Sequence, residues 1–246
     1  MKSFFSALSF LTILPVPHKW CGEEEVFSRS VMFYPLVGFF LGLITAVVDA
    51  GLCMVLPTTI SSVIVVMLLI WYSGGLHLDG LADSFDGFFS SRPREEMLNI
   101  MRDSRVGAMG VIAIVFLILL KVIALSSIPP QLRWKVLILV PLAGRCSLLF
   151  HWRFLSYVRS GGGLATSFHQ VHIKSGFIIA LIFFVSIAWV LVAGKGLIMS
   201  LCLMGAVALF SFYCKKKIGG MSGDTLGAVC EISEAVIMIT AVMVLL

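Results

Sequence analysis

Residues 74–110 read GGLHLDGLADSFDGFFSSRPREEMLNIMRDSRVGAMG, and roughly 77–109 of this segment is the longest polar stretch in a chain of 246 residues. Apolar runs flank it on both sides. Hydrophobic residues make up 59% of the sequence and charged ones 13%, with a mean hydropathy of +1.06. A soluble domain is about half apolar and about a quarter charged, so this chain has too little polar surface to cover a water-soluble globule. A disordered chain, a coiled coil and an ordinary cytosolic enzyme are excluded. What remains is an all-α fold, a polytopic membrane helical bundle forming one integral-membrane domain over 1–246, without internal repeats or low-complexity tracts.

A spanning helix needs about 20 mostly apolar residues. Candidate spans lie at roughly 31–56, 60–76, 110–128, 136–150, 176–193, 197–214 and 226–246, about seven transmembrane helices in all. The span at 136–150 is short and needs help from its flanking residues or a thinned bilayer. The run at 3–14 stops at Pro15 and Pro17 and has no small-residue cleavage site after it. It reads as a short interfacial or re-entrant helix and not as a signal peptide. Lys19 and Arg29 precede the first span, Arg92, Arg94, Arg102 and Arg105 follow the second, Arg153, Arg159 and Lys174 follow the fourth, and Lys215, Lys216 and Lys217 follow the sixth. The alternate loops hold only Arg133, Lys135 and Lys195. The positive-inside rule therefore assigns the basic set to the cytoplasm and the C-terminus to the outside. A net charge of +5 dispersed over short loops points to the lipid bilayer as partner and away from nucleic acid. The six cysteines show no CxxC or CxxH pairing and read as small buried hydrophobes.

Within the quoted segment, Asp79, Asp83 and Asp86 fall at i, i+4 and i+7 and share one helix face. Stacked carboxylates repel unless a cation lies between them, and hard oxygen ligands without His or Cys favour Mg²⁺, Mn²⁺ or Ca²⁺ over zinc. Seventeen residues after Asp86 comes Asp103, flanked by Arg102 and Arg105, which can return a fourth carboxylate and two phosphate-binding guanidiniums. A merely solvated loop fits less well, because the acids sit against Leu76, Leu78, Leu81, Phe85 and Phe88 and acids at a membrane boundary are expensive. His77 reads equally as a hydrogen-bonded boundary histidine or as an acid–base group.

Near the C-terminus, KKKIGGMSGDTLGAVCEISEAV places Gly219, Gly220 and Gly223 before Asp224, a turn onto the last helix whose amides make an anion seat. Glu231 and Glu234 stand three apart inside an apolar segment and demand a partner, for which Arg145 is the candidate. The Lys215, Lys216 and Lys217 run reads as a headgroup anchor, and Lys121, mid-span, is left unassigned. In RSGGGLATSFHQVH, Arg159 and the glycines 161–163 form a phosphate-covering loop or a plain flexible one; His169 and His172 lack further ligands for a metal. All three constellations fall on the cytoplasmic face expected from charge. Together they suggest phosphoryl transfer from a pyrophosphate-bearing donor to a hydroxyl, with metal neutralising the phosphates.

At these residues the sequence resembles the cobalamin synthase family, the adenosylcobinamide-GDP ribazoletransferases of bacterial and archaeal membranes. The strings that carry the resemblance are GGLHLDGLADSFDG, MRDSRVGAMG and GGMSGDTLGA with the later Glu231 and Glu234, supported by FLTILPVP, YPLVGFFLG and GRCSLLF. The resemblance implies a Mg²⁺-dependent transfer, at the cell (inner) membrane, from adenosylcobinamide-GDP to α-ribazole or its 5′-phosphate, with release of GMP. It implies Asp79, Asp83, Asp86 and Asp103 as metal ligands, and Asp83, His77, Arg102 and Arg105 as catalytic groups. Arg145, Arg159, Gly219, Gly220, Asp224, Glu231 and Glu234 are implied in substrate binding. Self-association, or association with other cobalamin-assembly enzymes, is left open. Two other readings are a CDP-alcohol phosphotransferase, whose signature has arginine where Asp83 follows Ala82 and a later aspartate spacing absent here, and a cation transporter, which would place its acids near the midplane of several helices.

Overall fold

The structure, a computed structural model, describes residues 1–22, 24–158 and 170–245. Its helices are α1 (Lys2–Leu11), α2 (Glu24–Arg29), α3 (Tyr34–Cys53), α4 (Thr58–Tyr72), α5 (Leu76–Phe89), α6 (Arg94–Ile100), α7 (Ala108–Ser127), α8 (Pro130–Phe154), α9 (Gln170–Val192), α10 (Gly194–Ile218) and α11 (Gly223–Leu245). Among the described residues the only extended pairing is an isolated bridge between Tyr157 and Met221. Among the described residues, six helical runs are long and apolar enough to cross a membrane: Glu25–Cys53, Ala108–Ser127, Pro130–Phe154, His172–Val192, Gly194–Ile218 and Gly223–Leu245. The pair α4 and α5 passes the same test together but is bent by 87°, giving up to seven spans. The chain is a multi-pass membrane helical bundle.

The bend follows from local sequence. Gly74 and Gly75 have φ of +61° and +81°, a left-handed conformation that glycine adopts without a Cβ penalty. The Gly75 amide donates to Ile70 O at 3.1 Å and the Gly74 amide to Trp71 O at 2.9 Å, which closes α4. The chain then restarts as α5 in a new direction. The segment expected to follow a second span as a loop is therefore a helix laid across one end of the bundle.

α8 is the hub. Every residue from 136 to 152 is buried, as expected of a helix that is apolar all round and enclosed by others. It is longer than the 136–150 read from hydropathy, because Arg133 at its start is not a loop residue. Arg133 is 1% exposed and forms two bonds to Asp49 of α3, at 2.8 and 2.6 Å. Its third nitrogen donates to Ser62 Oγ at 2.9 Å and Leu125 O at 2.8 Å, and Ser61 Oγ donates to Asp49 at 2.6 Å. This cluster, which hydropathy did not reveal, joins α3, α4, α7 and α8 at the ends remote from α5.

α3 and α8 approach backbone to backbone through GFFLG, residues 38–42, the small-xxx-small spacing that lets membrane helices pack closely. A Cβ on Gly38 would stand 2.6 Å from Pro141 O, and one on Gly42 would stand 2.6 Å from Ile138 O. Gly51, further along α3, has nothing within 4 Å of its would-be Cβ. Gly42→Val is expected to destabilise the protein by about 1–3 kcal/mol through overpacking, whereas Gly51→Ala is neutral or stabilising by up to about 1 kcal/mol. Thermal unfolding in detergent micelles checks both; equal effects at the two sites would contradict this helix contact.

Candidate active site

α5 is held between α7 and α11 by small residues. A Cβ on Gly80 would lie 2.7 Å from Asp224 O, and one on Gly227 would lie 3.0 Å from His77 O, so the two glycines allow α5 and α11 to touch. Leu81 packs with Ala113 and Leu117 of α7 and with Ala228 and Ala235 of α11 in a small separate core. That arrangement turns the other face of α5, with its three aspartates, outward. Asp79 is exposed; Asp83 and Asp86 are half-buried.

Asp86 has a structural task. Its two oxygens accept the Gly107 amide at 2.6 Å and the Gly110 amide at 2.8 Å. α7 begins at Ala108 with glycine as its N-cap and no capping side chain of its own, so Asp86 caps it from another helix and places a negative charge at the positive end of its dipole. A Cβ on either glycine would come 2.5 Å from an Asp86 oxygen, which explains both glycines in RVGAMG.

Asp103 and Arg105 chelate one another in the loop before α7, with Arg105 Nε at 3.0 and 3.2 Å and Nη2 at 2.6 Å from the carboxylate. Those hydrogen bonds hold the Asp103 pKa down at about 2, although the group is in solvent. Arg102 is exposed in the same loop. Among the described residues no three carboxylates, imidazoles or thiols converge on one point as a ready-made metal cage, so Asp79, Asp83, Asp86 and Asp103 do not form one.

The turn between α10 and α11 is built as follows. Gly219, with φ of +79°, ends α10, and its would-be Cβ lies 3.2 Å from the Arg94 guanidinium carbon. Met221 N donates to Ser156 O and Val158 N to Met221 O, both at 3.0 Å, tying the turn to the segment that leaves α8. Ser222 and Thr225 cap α11 reciprocally: Ser222 N donates to Thr225 Oγ1 at 2.9 Å and Thr225 N to Ser222 Oγ at 3.3 Å. Ser222 Oγ also donates to Asp224 at 3.2 Å.

These elements enclose a cavity of about 280 Å³. Asp79 and His77 from α5 and Gly223 and Asp224 from α11 line it, together with Phe10 and Leu11 of α1, Tyr34 of α3, and Leu148 and Trp152 of α8. The structure thus brings His77, Asp79 and Asp224 together. Gly219 and Gly220 shape the turn but are not in the lining. Arg159 and the glycines 161–163 lie outside the described residues.

Glu231, Glu234 and Arg145 meet one another beneath the cavity. Arg145 Nη1 donates to Glu234 at 2.6 Å, and Lys121 Nζ donates to Glu231 at 2.6 Å and Glu234 at 2.8 Å. Arg145 precedes the lining residue Leu148 by three positions on α8, and Glu231 follows the lining residue Gly227 by four on α11. At 1.5 Å rise per residue the network sits about one helical turn, roughly 5 Å, below the cavity. All four side chains are at most 3% exposed. Arg145 Nε and Nη2 have no partner among the described residues. Sequence reasoning found the Arg145 partnership but left Lys121 aside; a lysine within a 20-residue apolar helix was the available signal. It also passed over Phe10, Trp152 and Tyr157, which line the cavity, and His151, which bonds Ser211 at 2.8 Å and Thr225 at 3.3 Å.

Lys121→Met is expected to cost about 3–5 kcal/mol, since it strands a buried carboxylate. Adding Glu231→Gln to that variant recovers part of the loss by removing the stranded charge. Thermal unfolding of the two variants tests this; a double variant no more stable than the single one would show that Lys121 acts otherwise.

The sequence profile of the cobalamin-5-phosphate synthase family matches residues 3–242. Curated relatives named adenosylcobinamide-GDP ribazoletransferase include one from Acetivibrio thermocellus, 38% identical over 97% of this chain and 96% of its own. Others come from Clostridium acetobutylicum (37%, over 97% and 94%) and Brevibacillus brevis (38%, over 98% of both). No solved structure matches the chain. With nearly its whole length matched, and its acidic helix and α10–α11 turn meeting at one cavity, the chain belongs to the cobalamin-5-phosphate synthase family.

Proposed function

We propose that this protein transfers the adenosylcobinamide phosphate group of adenosylcobinamide-GDP to α-ribazole or α-ribazole 5′-phosphate, releasing GMP and completing the nucleotide loop of adenosylcobalamin or its phosphate. The observation that carries the reading is the cavity in which carboxylates from α5 and α11, Asp79 and Asp224, meet beside His77 at one end of a membrane bundle. In the reaction the ribose 3′-oxygen of the acceptor bonds to the phosphorus that carries the corrinoid. The bond between that phosphorus and GMP breaks, and the hydroxyl proton passes to a cavity aspartate or to His77.

The donor set suits Mg²⁺. That ion takes one or two protein carboxylates and completes its shell with phosphate and water, so Asp79 and Asp83, one turn apart on α5, supply enough protein ligands. Asp86 keeps a second lone pair on each oxygen beyond its amide bonds, and Asp103 adds a carboxylate from the loop before α7. When bound, Mg²⁺ neutralises charge on the donor diphosphate and on departing GMP. Arg102 and Arg105, exposed beside α5, receive the phosphates of the nucleotide half. Gly223 and Asp224 at the start of α11 offer the positive end of that helix to the transferred phosphate. Arg145, Glu231 and Glu234 hold the floor. The Lys and Arg distribution supports a cytoplasmic orientation for this end of the bundle.

Purified protein in liposomes, given adenosylcobinamide-GDP, α-ribazole 5′-phosphate and Mg²⁺, is expected to form corrinoid product. EDTA abolishes it, and Asp83→Ala lowers the rate by about a hundredfold or more. Full activity of Asp83→Ala would move the metal site away from Asp83. Absence of product from well-folded protein, with turnover of a CDP-linked donor, would overturn the reaction itself.

A further inference from the structure

Only one part of either substrate fits inside the cavity, and its lining says which. Its volume, about 280 Å³, falls just below the range of about 300–1,000 Å³ typical of pockets that enclose a drug-sized ligand. A nucleoside-sized group can enter; a corrin ring with its side chains cannot. The deep wall is aromatic and aliphatic. Tyr34 is 0%, Leu148 4% and Trp152 6% exposed, and Phe10 faces Tyr34 with ring centroids 6.0 Å apart and planes inclined by 20°. The carboxylates lie at the opposite, wetter side, where Asp79 is exposed and Asp224 half-buried. The cavity is therefore a small slot walled by apolar and aromatic side chains, with buried His77 among them and two carboxylates on the side nearer solvent.

We infer that this slot seats the aromatic base of the acceptor. The inference rests on the transfer reading above and adds where the two substrates divide the site. Flat rings pack favourably between aromatic side chains, and a benzimidazole joined to ribose through one nitrogen keeps a single ring acceptor and no exocyclic polar group. It can be buried among Tyr34, Trp152 and Leu148 with little left unsatisfied. Guanine, the other flat bicycle present, carries more donors and acceptors than the Tyr34 hydroxyl and the His77 ring could meet, and burying the rest unpaired is penalised. With the base at depth, the ribose reaches the mouth, where its hydroxyl meets Asp79 and Asp224. The corrinoid and the GDP half of the donor remain outside the slot, along α5.

Leu148→Trp fills the slot from its deep wall, and Trp152→Leu removes an aromatic surface should the first variant fold poorly. Equilibrium dialysis with α-ribazole alone and steady-state kinetics for each substrate read the outcome. Both variants are expected to raise the Kd and the KM for α-ribazole about tenfold, while the KM for adenosylcobinamide-GDP stays within about twofold. Unchanged acceptor constants in a folded variant would overturn the inference, and so would a rise confined to the donor KM, which would put guanine in the slot. Wild-type protein that binds α-ribazole but forms no product would count against the transfer reading and leave the base seat standing.

Discussion

Lys121 lies inside the apolar helix α7, where an isolated ammonium would be intolerable, and meets Glu231 and Glu234 of α11 at 2.6 and 2.8 Å. Glu234 in turn receives Arg145 of α8 at 2.6 Å. Two cations and two carboxylates thus neutralise one another across three helices. Breaking such a set leaves an uncompensated charge, which makes the pairing strongly directional even though its net contribution to stability is small. The network fixes how α7, α8 and α11 stand relative to one another. α5 then lies on the shelf made by α7 and α11, and every other feature of the candidate site depends on that shelf.

α5 itself resolves a conflict. A helix carrying Asp79, Asp83 and Asp86 cannot continue α4 into a bilayer without burying acids. The glycine pair at 74 and 75 turns it by 87°, so that Leu81 and Phe88 enter the apolar interior while the aspartate face does not. Its C-terminal end is secured twice, by Asp86 on the first turn of α7 and by Lys217, whose Nζ donates to Phe88 O at 3.0 Å. Its N-terminal half is secured by Gly80 against α11. The acidic face is thereby held rigid, as a site built on a helix should be, and Asp79 is brought to the cavity that Asp224 enters from α11.

Much of this was legible in the chain. The spans follow from hydropathy, and the helical face of three aspartates from their spacing. The need of Glu231 and Glu234 for a cationic partner follows from their place in an apolar run. What stayed hidden depends on contacts distant in sequence. Gly74 and Gly75 announce a turn without giving its angle. Asp86 looks like its neighbours until Gly107 and Gly110, more than twenty residues on, present their amides. Arg133 counted as a loop charge until Asp49 proved to face it, and α8 proved correspondingly longer. The cavity aromatics Phe10, Trp152 and Tyr157 come from three separated segments, so no local pattern marks them.

The central claim is that the chemistry occurs where α5 and the start of α11 meet. Supplying the protein with Fe²⁺ and GDP and generating hydroxyl radicals at the ion it binds would map the proposed metal position by backbone cleavage. The account predicts cuts clustered around Asp79 and Asp83 and around Asp224, lost in Asp83→Ala. Cleavage confined to other segments, with α5 and the α11 terminus intact, would contradict it.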